Sequence, residues 1–176
     1  MYPFFRMAME RIKHRNAGAL GPGETHVSHH LCLPGDLDIW NELNNGRTLT
    51  LFDFGRLSLI DRNGIINLCK QNGWGPAIAG ASVRYRKRIK LLDRIEMRST
   101  LIGWDARFYY IPQSMWRRGE CANEALYRVA IVGAQGIVAP AEIARILGWN
   151  TQSPDLPDWV QAWCDAENLR PWPPVS

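Results

Sequence analysis

Residues 49–60 constrain this chain more than any other stretch, because their apolar side chains do not keep to one side. Leu49, Leu51, Phe52, Phe54, Leu57, Leu59 and Ile60 scatter round a helix axis at about 100° per residue instead of forming a stripe. A helix that is apolar all round is wrapped by other structure rather than laid on a surface. Its start is supplied by Asp36-Leu37-Asp38-Ile39-Trp40-Asn41-Glu42-Leu43-Asn44-Asn45. Asn44 and Asn45 both suit an N-cap, where a short side-chain oxygen accepts from the free amides of the first turn. Those amides, with the positive end of the helix dipole, make a ready site for an oxygen carrying negative charge. The helix is expected to run on to Leu68.

The wrapping follows from the period of the remaining chain. Residues 25–33 alternate and read as a strand stopped by Pro34-Gly35. Gly73-Trp74-Gly75-Pro76 breaks the chain, and beyond it the period becomes two. Strands are expected over 79–89, 95–102, 108–116 and 123–132, with turns at Gly103-Trp104-Asp105-Ala106 and Arg117-Arg118-Gly119-Glu120. Within 95–102, Ile95, Met97, Ser99 and Leu101 share one face. Pro112 calls for an edge position or a bulge. Short links imply an antiparallel sheet, so one strand, a buried helix and then a long sheet describe an α+β layer design. Residues 1–23 read as a basic amphipathic helix and a Gly/Pro linker, and residues 24–138 as the main domain. Residues 139–176 form an extension of short helices, with Trp159 and Trp163 on one face of the second, and a Pro-rich tail.

At the D-x-D…N-N run the chain resembles the hotdog-fold thioesterases. The nearest branches are the 4-hydroxybenzoyl-CoA thioesterase-like acyl-CoA hydrolases and the acyl-carrier-protein thioesterases, in which the run reads roughly D-L-D-x-N-x-H-V-N-N-x-x-Y. Asp36, Leu37, Asp38, Asn44 and Asn45 match. Trp40 stands where the second branch has Asn, Glu42 where it has His, and Thr48 where Tyr is usual. The similarity in order of elements covers residues 27–132. It implies a long antiparallel sheet round a central helix, and a homodimer or homotetramer with the site at a subunit interface. The implied activity is hydrolysis of an acyl-CoA thioester without a separate cofactor, CoA being part of the substrate. The alternative is a hotdog protein that binds an acyl-CoA or acyl chain without turning it over.

Composition narrows the field without naming a chemistry. Hydrophobic residues at 46% and charged residues at 22% of 176 are ordinary for a globular domain. A net charge of +4 allows a polyanionic ligand, while nucleic acid would demand a denser basic face. The scattered cysteines Cys32, Cys69, Cys121 and Cys164 form no C-x-x-C, so buried free thiols in a reducing, cytoplasmic setting are expected. No stretch reaches the roughly 20 apolar residues of a membrane span, and no secretory signal is recognisable. Neither H-E-x-x-H, G-x-S-x-G, a Walker A loop nor G-x-G-x-x-G occurs. His26, His29 and His30 split between two strand faces, so no metal site is expected.

The chemistry of a thioester needs one activated nucleophile and donors for the oxyanion of the tetrahedral intermediate. Asp38 is the candidate base for a water, or the nucleophile itself. On spacing alone Asp36 and Asp38 would be an ordinary polar turn after Pro34-Gly35; with Asn44-Asn45 and the buried helix included, Asp38 is the catalytic candidate and Asp36 a structural partner. Glu42 is either a second acid near the site or a solvated loop residue. Asn44 orients water or caps the helix, the cap being favoured. The amides around Asn45 and Gly46 are the candidate oxyanion donors. Arg84, Arg86, Arg88 and Lys90 alternate along one expected strand face with Lys87 opposite. Such a run is usually a solvated face, and the resemblance adds CoA phosphates as a ligand for Arg84, Arg86 and Lys87.

Overall fold

In a computed structural model that describes residues 2–171 and 173–174, the wrapped helix is the spine of the molecule. Met1, Trp172, Val175 and Ser176 lie outside the described residues, and with them the ends of the expected N-terminal helix and Pro-rich tail. Helix α1 spans Phe4–His14 and α2 spans Asn45–Arg62. Leu51, Phe52, Phe54, Leu59 and Ile60 are each no more than 3% exposed. Asn44 caps α2 from extended backbone: its Oδ1 accepts from the Gly46 N–H at 2.8 Å and the Arg47 N–H at 3.3 Å. The helix ends at Arg62, short of the expected Leu68. Gly64 takes φ +83°, a left-handed turn that glycine adopts freely, and the chain re-enters helix as α3, Ile65–Asn72.

The sheet is antiparallel, with β1 Thr25–Leu31, β2 Gly75–Tyr85, β3 Arg94–Thr100, β4 Gly103–Trp104, β5 Tyr109–Arg117, β6 Glu120–Gly133 and β7 Gly136–Val138. Its order is β1-β3-β5-β6-β2, with β4 on β5 and β7 on β6. Ile95, Met97, Ser99 and Leu101 turn inward and are fully buried, as their alternation requires. Several boundaries differ from the expectation. Gly75-Pro76 opens β2 instead of breaking the chain, because β2 is an edge strand and a proline there forfeits no bond on its free side. β2 ends at Tyr85, so Arg86, Arg88 and Lys90 do not continue a strand face; the Arg86 and Lys87 N–H groups both donate to the Ala122 carbonyl. Gly103-Trp104 is a short strand rather than a turn. Pro112 sits in an interior strand, at neither edge nor bulge. It faces a gap, since β3 pairs with β5 from Gln113 onward and β4 pairs at Tyr109 and Tyr110.

Gly55 sets how closely α2 lies on the sheet. A Cβ there would stand 2.5 Å from Met97 Sδ and 2.8 Å from Ser99 Oγ, so only glycine permits this approach. β1 is inverted in character: His26 and Ser28 are fully buried while Val27 and Leu31 face outward. Helix α1 covers that strand, tied by Arg6 to the Asp36 carboxylate at 2.7 and 2.9 Å and by Arg11 to Asp61 at 3.2 Å. Of two later helices, α4 Pro140–Ile146 packs Ile143 and Ala144 into the main core, and α5 Asp158–Leu169 closes the other side, where its Val160 and Cys164 pack with Tyr110 and Leu126. No described helix is long and apolar enough to cross a membrane.

Candidate functional site

The chain reaches α2 through a pinched loop that turns a run of sequence into a site. The Asn44 N–H donates to the Asp36 carbonyl at 2.9 Å, Leu37 pairs with Leu43, and the Asp38 N–H donates to the Glu42 carbonyl at 2.8 Å. Leu43 is driven into the core. The loop is anchored to the chain beyond β2 by the Glu42–Lys90 bridge and by the Leu43 N–H on the Ile89 carbonyl at 2.8 Å.

Asp38 is half-buried at the tip of this loop. Its Oδ1 accepts from the Trp40 N–H at 2.8 Å and the Glu42 N–H at 3.2 Å, leaving Oδ2 without a protein donor among the described residues. Asp36 is buried, paired with Arg6 and accepting from the Leu33 N–H at 3.0 Å. Glu42 is half-buried and ion-paired with Arg88 at 3.0 Å. Asn44 serves as the cap, which engages the Gly46 N–H. The Asn45 N–H, by contrast, meets no acceptor among the described residues.

Two cavities flank the start of α2. Glu42, Asn45, Arg86 and Lys87 line one of about 190 Å³, together with Tyr85 and Asn123. Asn44 and Gly46 line a shallower groove of about 510 Å³ with Tyr2 and Thr50. Asp38 is not among the described residues lining either. Arg84 lies elsewhere, in a cavity of about 310 Å³ with Glu124, Trp159 and Trp163 under α5. Arg84 is thus separated from Arg86 and Lys87, because the strand ends between them.

A polar network that the sequence reading did not single out lies beneath the middle of α2. Arg56 is 5% exposed; it donates to Gln113 Oε1 at 2.8 Å, pairs with Asp53, and lays its guanidinium 3.9 Å from the Tyr127 ring centroid. Gln113 in turn donates to the Phe52 carbonyl at 2.9 Å and to Ser99 Oγ at 2.7 Å. Burial pushes the Tyr127 hydroxyl up to about 12, against the opposing pull of Arg56. The one signal in the sequence is a cation spaced i,i+3 from an acid inside an otherwise apolar run.

Glu10, His14 and His26 also converge, with ligand-type atoms within 4.8 Å of one another. Glu10 bonds His14 at 2.9 Å, while Arg62 donates to His26 Nδ1 at 3.0 Å. The guanidinium brings positive charge to the spot a cation would need, so the cluster reads as the dock of α1 on β1. Burial, then His14 and Arg62, hold His26 down to about 4. All four cysteines are unpaired, and Cys121 is exposed, unlike the other three. Burial, then Asp36 and Asp93, push the Cys32 thiol up to about 11, which argues against a nucleophilic thiolate there.

A model of the thioesterase-like superfamily matches residues 32–164. Among sequence relatives, Protein THEM6 of Xenopus laevis is 26% identical over 141 residues, covering 78% of this chain and 66% of that protein, just under two thirds of its length. Among solved structures, the probable thioesterase YbaW of Escherichia coli superposes with a TM-score of 0.64 at 16% identity, covering 69% of this chain and 95% of that one. SAV2348 of Staphylococcus aureus, solved in complex with CoA, gives a TM-score of 0.63 at 10% identity, covering 81% and 96%. The arrangement shared with these structures is the hotdog fold, an antiparallel sheet curled round one helix.

Proposed function

Because the chain belongs to the thioesterase-like superfamily, we propose that it is a hydrolase that splits an acyl-CoA thioester into a carboxylic acid and free CoA. The observation that carries this reading is the cavity at the first turn of α2, where Asn45 shares a wall with Arg86 and Lys87. Guanidinium and ammonium groups at that mouth suit the phosphates of CoA, and the CoA held by SAV2348 supports the ligand class. The acyl carbonyl oxygen then points at the Asn45 N–H and the positive end of α2.

Asp38 is the base, acting through Oδ2. A water oxygen adds to the thioester carbon as its proton passes to Asp38. The oxyanion is received by the Asn45 N–H, and by the Gly46 N–H once Asn44 Oδ1 releases it. Collapse breaks the carbon–sulfur bond, and the proton returns from Asp38 to the departing thiolate. That leaving group is good, with a thiol pKa of about 8.5 by analogy with cysteine. Glu42, held by Arg88, sets the charge beside Asp38. Direct attack by Asp38 would instead give a mixed anhydride, and label found in Asp38 after a single turnover in ¹⁸O-water would reveal it, since the base mechanism labels only the product.

Thiol release from a panel of acyl-CoAs tests the whole reading. Asp38→Asn is expected to lower kcat by about 10²–10⁴-fold with KM and Tm little changed. Full retained activity removes Asp38 from the chemistry. A second reading, an acyl-thioester binder without turnover, is favoured by the hold of Asn44 on the Gly46 amide and by Trp40 and Thr48 in their positions. Tight binding of a CoA ester with no thiol released over hours would select it.

We also propose a homodimer built through β2. Among the described residues this strand pairs with β6 alone, and its outer edge is bare of strand pairing from Gly75 to Tyr85, a template for a second copy. Its last residue, Tyr85, lines the Asn45 cavity, so a partner strand there would stand beside the site. The unpaired cysteines suit a reducing, cytoplasmic compartment.

A further inference from the structure

One end of the molecule carries exposed apolar side chains that the fold does not need. The turn after Asp38 holds Ile39 at 86% and Trp40 at 74% exposure. The turn after Lys90 holds Leu91 at 46% and Leu92 at 62%. The two turns are side by side, since Glu42 bridges Lys90. At the start of α1, Phe5 is 77% exposed and lines a groove with Leu31, Leu33 and Arg94; the Leu92 N–H donates to the Cys32 carbonyl at 2.8 Å next to it. Lys90 and Arg94 are exposed beside these tips and pair with no carboxylate among the described residues.

We infer that this end docks on the surface of an anionic phospholipid bilayer, with Trp40, Leu92 and their neighbours inserted and the cations against lipid phosphates. The backbone of the first tip is ready for insertion: Asp38 Oδ1 accepts from the Trp40 and Glu42 amides, and the Asn41 N–H donates to the Asp38 carbonyl at 3.2 Å. A tip so bonded takes few unpaired groups into an apolar medium. Tryptophan suits the headgroup boundary, and an apolar wedge with a basic surround supplies the two signals that stable surface binding needs. Leu92 adds an independent sign. Its φ is +60°, a conformation unfavourable for leucine, and the side chain it projects there adds nothing to the core. Strain kept for an exposed apolar group marks a use outside the fold.

A second copy fits this surface less well than lipid does. An isologous contact would set the same basic surround against itself, with Lys90 and Arg94 facing like charges. The inference does not rest on the hydrolase reading, and its test uses no substrate.

The test is flotation of the full chain with vesicles of phosphatidylcholine alone or with phosphatidylserine. The chain is expected to float with the anionic vesicles, less with the neutral ones, and less in high salt. Trp40→Ser/Leu92→Asn is expected to lose about tenfold or more in partitioning while its Tm holds, because asparagine accepts the left-handed turn. Lys90→Glu/Arg94→Glu is expected to lose at least about tenfold on anionic vesicles only. The inference is overturned if the wild-type chain does not float, or if the Trp40/Leu92 variant floats equally well. It is also overturned if that variant turns a dimer into a monomer in sedimentation, which would make the patch a subunit contact.

Discussion

The first turn of α2 and the middle of the same helix are built on opposite terms. At the first turn Asn45 and Gly46 are exposed, cavities open on both sides, and a side-chain cap stands in for packing. Through the middle, Leu51, Phe52, Phe54, Leu59 and Ile60 are buried, and even the charged Arg56 is bonded on Asp53 and Gln113 and stacked on Tyr127. The difference separates two duties along one rod. Open N–H groups are useful to a ligand only if they are left without full partners, which weakens the helix end. The sealed middle supplies the stability that lets the end stay open. Substitutions at the start should therefore change turnover and spare Tm, and substitutions in the middle should do the reverse.

The strongest way to break that comparison is at Gly55, the point of closest approach. Gly55→Leu would drive a side chain into Met97 and Ser99, both fully buried. Overpacking of this kind costs about 3 kcal/mol or more here, against roughly 1 kcal/mol regained from leaving glycine in a helix. A lowered urea midpoint is expected, with Gly55→Ala intermediate. An unchanged midpoint would mean that α2 can lift from the sheet and is not sealed.

A graded effect comes from the histidines that wall the sealed region. His30 packs 5.9 Å from Phe54, centroid to centroid, and bonds Ser28 at 2.9 Å. Burial, then Arg6, Lys13 and the neighbouring His26 and His29, hold its pKa down to about 3. His26, beside Arg62 of α2, is held near 4. In the unfolded chain each titrates near 6.5. Below that value the unfolded chain binds protons that the folded chain refuses, so stability falls as pH drops from about 6.5 toward about 4. The slope is about 1.4 kcal/mol per pH unit for each histidine. Above about 6.5 neither contributes a slope. Urea midpoints measured from about pH 7 down to about pH 5 check this, and His30→Leu should remove part of the slope.

The sealed middle was far more legible in the sequence than the site was. An apolar run that covers every side of a helix has one physical outcome, and the alternation of Ile95, Met97, Ser99 and Leu101 needed only the period of a strand. The break at Asn63-Gly64 went unread because a single glycine is tolerated in helices and no proline follows it. Arg56 was unreadable for a deeper reason: its partner Gln113 is 57 residues away, and an arginine in a helix ordinarily faces water. The basic run was legible as charge but not as geometry. Where β2 stops decides that Arg86 and Lys87 reach the Asn45 cavity while Arg84 faces α5, and strand ends are fixed by pairing with β6, not by local composition. Asp38 is a candidate through the resemblance, and its bonds to the Trp40 and Glu42 amides depend on a loop closure that no periodicity encodes.

The finest test of the comparison is the cap itself. Asn44 Oδ1 satisfies the Gly46 and Arg47 amides, so Asn44→Ala should lower stability by about 1 kcal/mol, the smallest of these effects. Yet the same change frees the Gly46 N–H, a candidate oxyanion donor held by the cap in the resting chain. If the open end trades stability for function, Asn44→Ala should lose Tm while kcat holds or rises, whereas Asn44→Asp should keep the cap and the Tm. The decisive measurement is kcat for both variants beside their melting curves. A fall in kcat for Asn44→Ala with kcat kept in Asn44→Asp would show that the capped turn is the working form, and that the two regions of α2 are coupled rather than separable.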